Sequence, residues 1–250
     1  MKRLVMMLVA TSLVMIAAPF GRTESIPETA AKDKVEAARV AEENGDLARL
    51  HKDNMKAVAY YQAAIRLSRQ NAELYNKLGI VELKLDERGA ARKQFAQAAK
   101  LDPRLTSALN NLGAVALLDK KYKSAASYFK QALALDESVA STHLNLAEAW
   151  MGLKQIDRAM TEYARALELD ADVLSDSEGG AIAQVMTPEQ HARVLFLIAK
   201  SYMKRGNLDG ALDYLGRAKE GHYRDLASVY SDSDFAPLWK DPRLAKIVSR

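Results

Sequence analysis

The chain contains no cysteine. That excludes disulfides, thiol nucleophiles, thiolate metal sites and lipid attachment through a cysteine. Histidine is scarce as well. His51, His143, His191 and His222 form no i, i+4 pair and share no helical face, so zinc-ligand spacing is missing. The Gly179-Gly180 pair is not followed by Gly-Lys-Ser/Thr, so no phosphate-binding loop is present. Acidic residues stand beside lysines in the pattern of solvated helix surfaces. With no convergent site, neither catalysis nor a cofactor or metal is expected. An excess of one charge is also lacking: the formal balance is +4 and scattered, too little for a nucleic-acid footprint. Glycine (12) and proline (6) are few in 250 residues, whereas alanine, leucine, lysine and glutamate are plentiful, which favours helix over strand.

One stretch is unlike the rest. Lys2 and Arg3 precede an apolar run from Leu4 to Phe20, interrupted by Thr11 and Ser12, and polarity returns at Arg22-Thr23-Glu24-Ser25. This is the layout of a bacterial-type secretory signal over residues 1–21, with small residues at Ala17 and Ala18 for cleavage. Ile16 spoils the cleavage box, and the run approaches the length needed to span a bilayer, so an uncleaved anchor is the alternative. In either case Lys2 and Arg3 keep the amino terminus inside and place the body outside the cytoplasm, in the periplasm or beyond. Stable membrane insertion is expected only if this segment is retained.

With 49% of its residues apolar, the remainder can bury a sizeable core. Its organisation is periodic. Ala57, Ala91, Ala125 and Ala159 are 34 residues apart, as are Tyr61, Phe95, Phe129 and Tyr163, and Ala64, Ala98, Ala132 and Ala166. Upstream, Gly79, Gly113 and Ala147 keep the same step, as do Leu78, Leu112 and Leu146. A small-x-x-x-aromatic-x-x-small run puts three residues on one helical face. The small residue of the preceding helix lets the two helices approach closely. Pro103 follows the second helix of its unit and stops it. A helical hairpin of this kind cannot bury its apolar face alone and gains stability by stacking on its neighbours.

These ladders resemble the tetratricopeptide-repeat family, over roughly residues 38 to 218. The resemblance implies an all-α, right-handed solenoid of about five hairpins with a C-terminal helical cap. Repeats one to four occupy 38–71, 72–105, 106–139 and 140–173, and residues 22–37 form a linker and the start of a lengthened first helix near Pro27. The pattern returns at Ala211, Leu215 and Ala218 after an insertion at 174–191, giving repeat five at 192–225. Thr187-Pro188-Glu189-Gln190 is an N-cap, an N1 proline and an N3 glutamine, and restarts a helix. Residues 226–250 are similar to the tail that closes many bacterial arrays, with Phe235, Leu238, Trp239 and Leu244 covering the open end. A partner-binding hook is the other reading of that tail. Trp150, in an aromatic slot of the family, is expected in the core, and His143 is expected to pack rather than ligate.

In this family the first helices line a concave groove. Carried over, the groove positions include Asn76, Lys77 and Ile80 of repeat two, Asn110 and Asn111 of repeat three, Asn145 and Glu148 of repeat four, and Arg193, Phe196, Lys200 and Lys204 of repeat five. Asn111 and Asn145 share one position, resembling the asparagines by which some members hold an extended peptide, because a carboxamide both donates and accepts. Lys77 and Leu197 replace asparagine there in repeats two and five, so the ladder has two rungs; plain solvation is the other reading. Repeat one is acidic at Glu42, Glu43 and Asp46, while repeat five is basic at Arg193, Lys200 and Lys204. That gradient would orient a polar peptide. The lysine, asparagine and arginine set with which a subclass clamps a chaperone's terminal carboxylate is not reproduced. The expected partner is therefore a protein or peptide and not nucleic acid. Two other roles stay open: a structural subunit of an envelope assembly using the convex face or the 174–191 insertion, and a regulatory module for an enzyme encoded elsewhere.

Overall fold

A computed structural model describes residues 28–170, 172–174 and 187–249. The targeting segment at 1–21 and most of the 174–191 insertion lie outside the described residues.

Among the described residues ten helices pair into five hairpins: α1 (Glu28–Leu50) with α2 (Asn54–Leu67), α3 (Ala72–Lys84) with α4 (Arg88–Leu101), and α5 (Thr106–Leu118) with α6 (Tyr122–Leu135). The fourth joins α7 (Ala140–Gly152) to α8 (Ile156–Leu169), and the fifth α9 (Pro188–Lys204) to α10 (Leu208–Glu220). Each second helix then packs on the first helix of the next hairpin, including α8 on α9 across the insertion. Two 3₁₀ turns (Leu226–Tyr230 and Ser233–Leu238) and α11 (Pro242–Val248) close the C-terminal end. The result is the all-α solenoid with a helical cap that the family resemblance implies.

Every first helix ends in the same way. Lys52, Asp86, Lys120 and Lys154 adopt left-handed backbone (φ 59°, 61°, 57° and 59°), and Gly206 takes that place in the fifth hairpin (φ 71°). The next amide reaches back five residues: Asp53 N–H to Ala48 O (2.9 Å), Glu87 to Glu82 (2.9 Å), Lys121 to Ala116 (2.8 Å), Gln155 to Trp150 (2.9 Å) and Asn207 to Tyr202 (3.0 Å). This is a Schellman closure, which satisfies the last carbonyls and turns the chain into the second helix. Between hairpins, the carboxylates of Asp102, Asp136 and Asp170 each accept the amide two residues on, all at 2.9 Å. Such Asx turns fix the exit from the second helix. At α9 the capping box is complete: Thr187 Oγ1 accepts from Gln190 N–H (3.3 Å) and Gln190 Oε1 from Thr187 N–H (2.9 Å). The helix therefore begins within the segment assigned to the insertion.

The ladder residues are the core. Ala57, Ala91, Ala125 and Ala159 are fully buried, as are Tyr61, Phe95, Phe129 and Tyr163 and the second alanines at 64, 98, 132 and 166. A Cβ on Gly79 would lie 2.6 Å from the Phe95 ring, and one on Gly113 2.5 Å from Phe129. Gly45 meets Tyr61 in the same manner at 2.6 Å, so the glycine ladder extends one rung further upstream than Gly79. In the cap, Phe235, Leu238 and Leu244 are fully buried against Leu212 and Leu215 of α10. Trp239 is not part of that core. It stands 44% exposed and is held at the margin by its indole N–H, which donates to Val229 O at 2.8 Å. Trp150 also departs from expectation. It occupies the register of the buried Ala48 and Ala116, is too large for the same space, and is only partly buried, with the Arg158 guanidinium 5.0 Å above its ring. His143 is buried: one ring nitrogen contacts Glu162 Oε2 (2.7 Å) and the other lies 3.1 Å from Glu137 O.

Candidate functional site

The first helices α3, α5 and α7 bring their fifth and sixth residues together across neighbouring repeats. Asn111 Nδ2 donates to Asn76 Oδ1 at 2.9 Å, and Asn145 Nδ2 donates to Asn110 Oδ1 at 3.3 Å. Asn76 is buried and passes the chain on through its own Nδ2 to Ser107 Oγ (3.1 Å). Asn110 Oδ1 takes a second bond from Thr142 Oγ1 (3.2 Å). Four asparagines that sequence reasoning treats as separate groove donors are thus two cross-repeat pairs. The pairing fixes each outer carboxamide. Among the described residues, Asn111 Oδ1 and Asn145 Oδ1 accept no hydrogen bond, and both side chains remain partly exposed. Each can offer a carbonyl and a second N–H to a backbone amide. Ser107 is itself a groove position of repeat three in the family's pattern, whereas Thr142 is not a groove position of repeat four. The signal for Thr142 is its step of 32 residues from Asn110, close to the 31 between Asn76 and Ser107.

The charged groove positions are likewise engaged. Lys77 Nζ bridges Glu42 (2.6 Å) and Asp46 (2.7 Å) of α1. Burial alone would raise the Asp46 carboxyl, but hydrogen bonds from Lys77 and the Tyr61 hydroxyl (2.7 Å) outweigh it and hold it below its ordinary value. In repeat five, Arg193 pairs with Asp157 (3.1 Å) and Lys204 with Glu168 (2.9 Å). Lys200 is taken by the cap, at 2.6 Å from Asp232 and 3.2 Å from Asp234. The acidic first repeat and basic fifth repeat are therefore compensated locally, which weakens any field between them.

Two positions leave the polar set. Phe196 is unavailable to a groove ligand, because it is buried under the cap with ring centroids 4.8 Å from Tyr223 and 5.3 Å from Phe235. Ile80 is partly buried against the cluster of Ala91, Phe95, Leu112 and Val115, where it can supply apolar contact. Glu148 is the remaining one. It is partly buried, its carboxyl is pushed up by burial, and it forms no ion pair or hydrogen bond among the described residues. The Tyr163 hydroxyl is fully buried without a hydrogen-bond partner among the described residues, and burial together with the Glu148 charge holds its phenol well above the usual range. Among the described residues no group of three or more acidic or histidine side chains could hold a metal ion.

Family models for the tetratricopeptide repeat match residues 76–140 and 116–185. Among curated proteins, none matches the sequence. Several solved structures share the architecture. MamA from Desulfovibrio magneticus RS-1 (from residue 41) aligns with 75% of this chain and 96% of its own at 19% identity and TM-score 0.54. YrrB, described as a tetratricopeptide-repeat protein with an unusual peptide-binding site, aligns with 81% of this chain and 96% of its own at 20% identity and TM-score 0.53. PilF of Pseudomonas aeruginosa aligns with 82% and 98% at 18% identity and TM-score 0.51. At these identities the structural likeness speaks for the fold, and the sequence models for the repeat itself: the chain belongs to the tetratricopeptide-repeat family.

Proposed function

We propose that this protein is an exported interaction scaffold that holds an extended peptide or protein segment along the first helices of repeats two to four. The observation that carries the reading is the pair of cross-repeat carboxamide contacts. They brace Asn111 and Asn145 at equivalent positions on successive hairpins and leave a carbonyl and an N–H of each unused. Two such groups repeated at one register suit the repeating donor and acceptor of a peptide backbone. Bracing in advance lowers the ordering cost of binding. Ile80 adds an apolar contact at one end, and the internally paired charges of repeats one and five would serve as borders rather than as steering fields. Export rests on the basic, apolar and small-residue layout of residues 1–21; among the described residues no helix is long and apolar enough to cross a membrane.

Selection from a displayed library of random peptides tests the groove. Wild-type protein should enrich a common set, and Asn111→Ala combined with Asn145→Ala should lose it while keeping its melting temperature within a few degrees. An unchanged peptide set from the double variant would remove the groove assignment. Fractionation of cells expressing the full chain tests export: recovery of the body in the cytoplasm would exclude it.

A further inference from the structure

The first and fourth repeats share a polar device that the second and third lack. Where the second helix carries tyrosine, the ninth position of the repeat is acidic: Asp46 with Tyr61, and Glu148 with Tyr163. Where it carries phenylalanine, that position is apolar: Ile80 with Phe95, and Ala114 with Phe129. Acid and phenol therefore come together in this chain, and the first repeat shows what they do. Asp46 accepts the Tyr61 hydroxyl at 2.7 Å, and the sixth residue of the following repeat, Lys77, brings its ammonium to the same carboxylate at 2.7 Å. Every member of that triad is satisfied.

The fourth repeat has the acid and the phenol but not the ammonium. The sixth residue of the following repeat is Leu197, which packs against the cluster around Tyr163. Among the described residues no neighbouring cation replaces it: Arg193, Lys200 and Lys204 are engaged by Asp157, Asp232 with Asp234, and Glu168. Nor can the insertion supply one, since residues 175–186 contain no lysine, arginine or histidine. What remains, among the described residues, is a partly buried carboxylate and a hydroxyl that is fully buried without a partner. Leaving such groups unpaired is costly, and a donor that satisfies them is correspondingly favoured. Glu148 also lies three residues beyond Asn145 on α7, so the site adjoins the carboxamide ladder along one helical face.

We infer that Glu148 and Tyr163 form a pocket for the lysine ammonium of a bound peptide, which takes the place that Lys77 fills beside Asp46 and Tyr61 in the first repeat. The inference rests on the groove reading above and adds a side-chain preference to it. The ammonium donates to the Glu148 carboxylate, the charge-assisted bond strengthens in the partly desolvated setting, and the carboxylate so anchored can accept the Tyr163 hydroxyl. Lysine suits the position better than arginine, because a compact ammonium on a flexible stem matches the internal Lys77, whereas a planar fork would need two aligned acceptors.

The same library of random peptides separates this inference from the reading beneath it. The wild-type pool should show lysine enriched at one register position by about tenfold over the Glu148→Gln pool, the equivalent of one charge-assisted hydrogen bond. Glu148→Gln should still select peptides through the asparagines. Leu197→Lys supplies the missing ammonium from within, so it should abolish the lysine preference and raise the melting temperature; Leu197→Met should do neither. Peptides selected without a lysine position, or with one that survives Glu148→Gln, would overturn the pocket and leave the groove standing. If no peptide is enriched by the wild-type protein, the groove reading fails and the pocket with it.

Discussion

Single residues here are decided by whether a polar group in the helix stack has a partner. Asp46 has three, in Lys77, the Tyr61 hydroxyl and Arg49 (3.7 Å), and its carboxyl is held below the ordinary 3.8, so its contribution is present above that value and is lost as pH falls through the folded-state value. Glu82 is the opposite case. It stands in the register of Ala48 and Ala116 and is buried. One oxygen meets Gln94 at a long 3.4 Å, and Oε2 has no partner. Burial pushes its carboxyl above the ordinary 4.5. A raised carboxyl favours the fold fully below its unfolded value, and that contribution is lost as pH rises through the folded value. Glu82→Met should therefore stabilise the protein by about 1 kcal/mol at pH 7, the scale of an unmet buried polar group. Denaturant midpoints measured across pH should show the gain shrinking as pH falls toward 4.5. A constant gain at every pH would mean that burial of the charge is not its cause.

Helices in this chain are set by periodic detail that the sequence carries without advertising. The alanine and aromatic ladders announce where the second helices lie, and the glycines announce close crossings. The left-handed residue that ends each first helix is far less visible, because four of its five occupants are lysine or aspartate rather than glycine. Its position is dictated by the Schellman bonds, which only the folded backbone displays. Gly206 is the one occupant that adopts that conformation without steric cost. Gly206→Ala should lower stability by about 1 kcal/mol, the penalty for a Cβ in left-handed backbone. Urea denaturation measures it, and an unchanged midpoint would show that the fifth hairpin closes differently from the other four.

At the scale of the molecule, stability is a property of the stack. Each hairpin touches the one before and the one after, and the last is covered by Phe235, Leu238 and Leu244. Phe129 is fully buried in the third hairpin against Gly113, with Leu146 and Ala149 of the fourth in the same cluster. Truncation to alanine should cost about 3–5 kcal/mol, as buried aromatic truncations do. Because neighbouring repeats share that interface, the loss should appear as one shifted melting transition for the array and not as a separate early step. Calorimetry distinguishes the two, and a loss below about 1 kcal/mol would contradict the placement of Phe129 in the core.

The sequence by itself determined the repeat, its register, the core ladders, the restart at Thr187 and the closure of the C-terminal end. It could do so because burial repeats at the helical period and every turn of the array faces the same packing problem. What it did not determine was how the groove is occupied. Asn76, Asn110, Asn111 and Asn145 are legible as groove residues from their positions, yet their pairing depends on which side chains face each other between hairpins. The cations of repeat five appear free along the chain and are engaged in space by α8 and by the cap. Phe196 appears as groove and is buried, because the tail folds back over it. Glu148 and Tyr163 are separated by 15 residues, and their missing ammonium becomes apparent only once Lys77 is seen beside Asp46 and Tyr61. Periodicity reports what each repeat has in common; the tertiary structure decides which polar groups find partners, because that depends on contacts between repeats that differ.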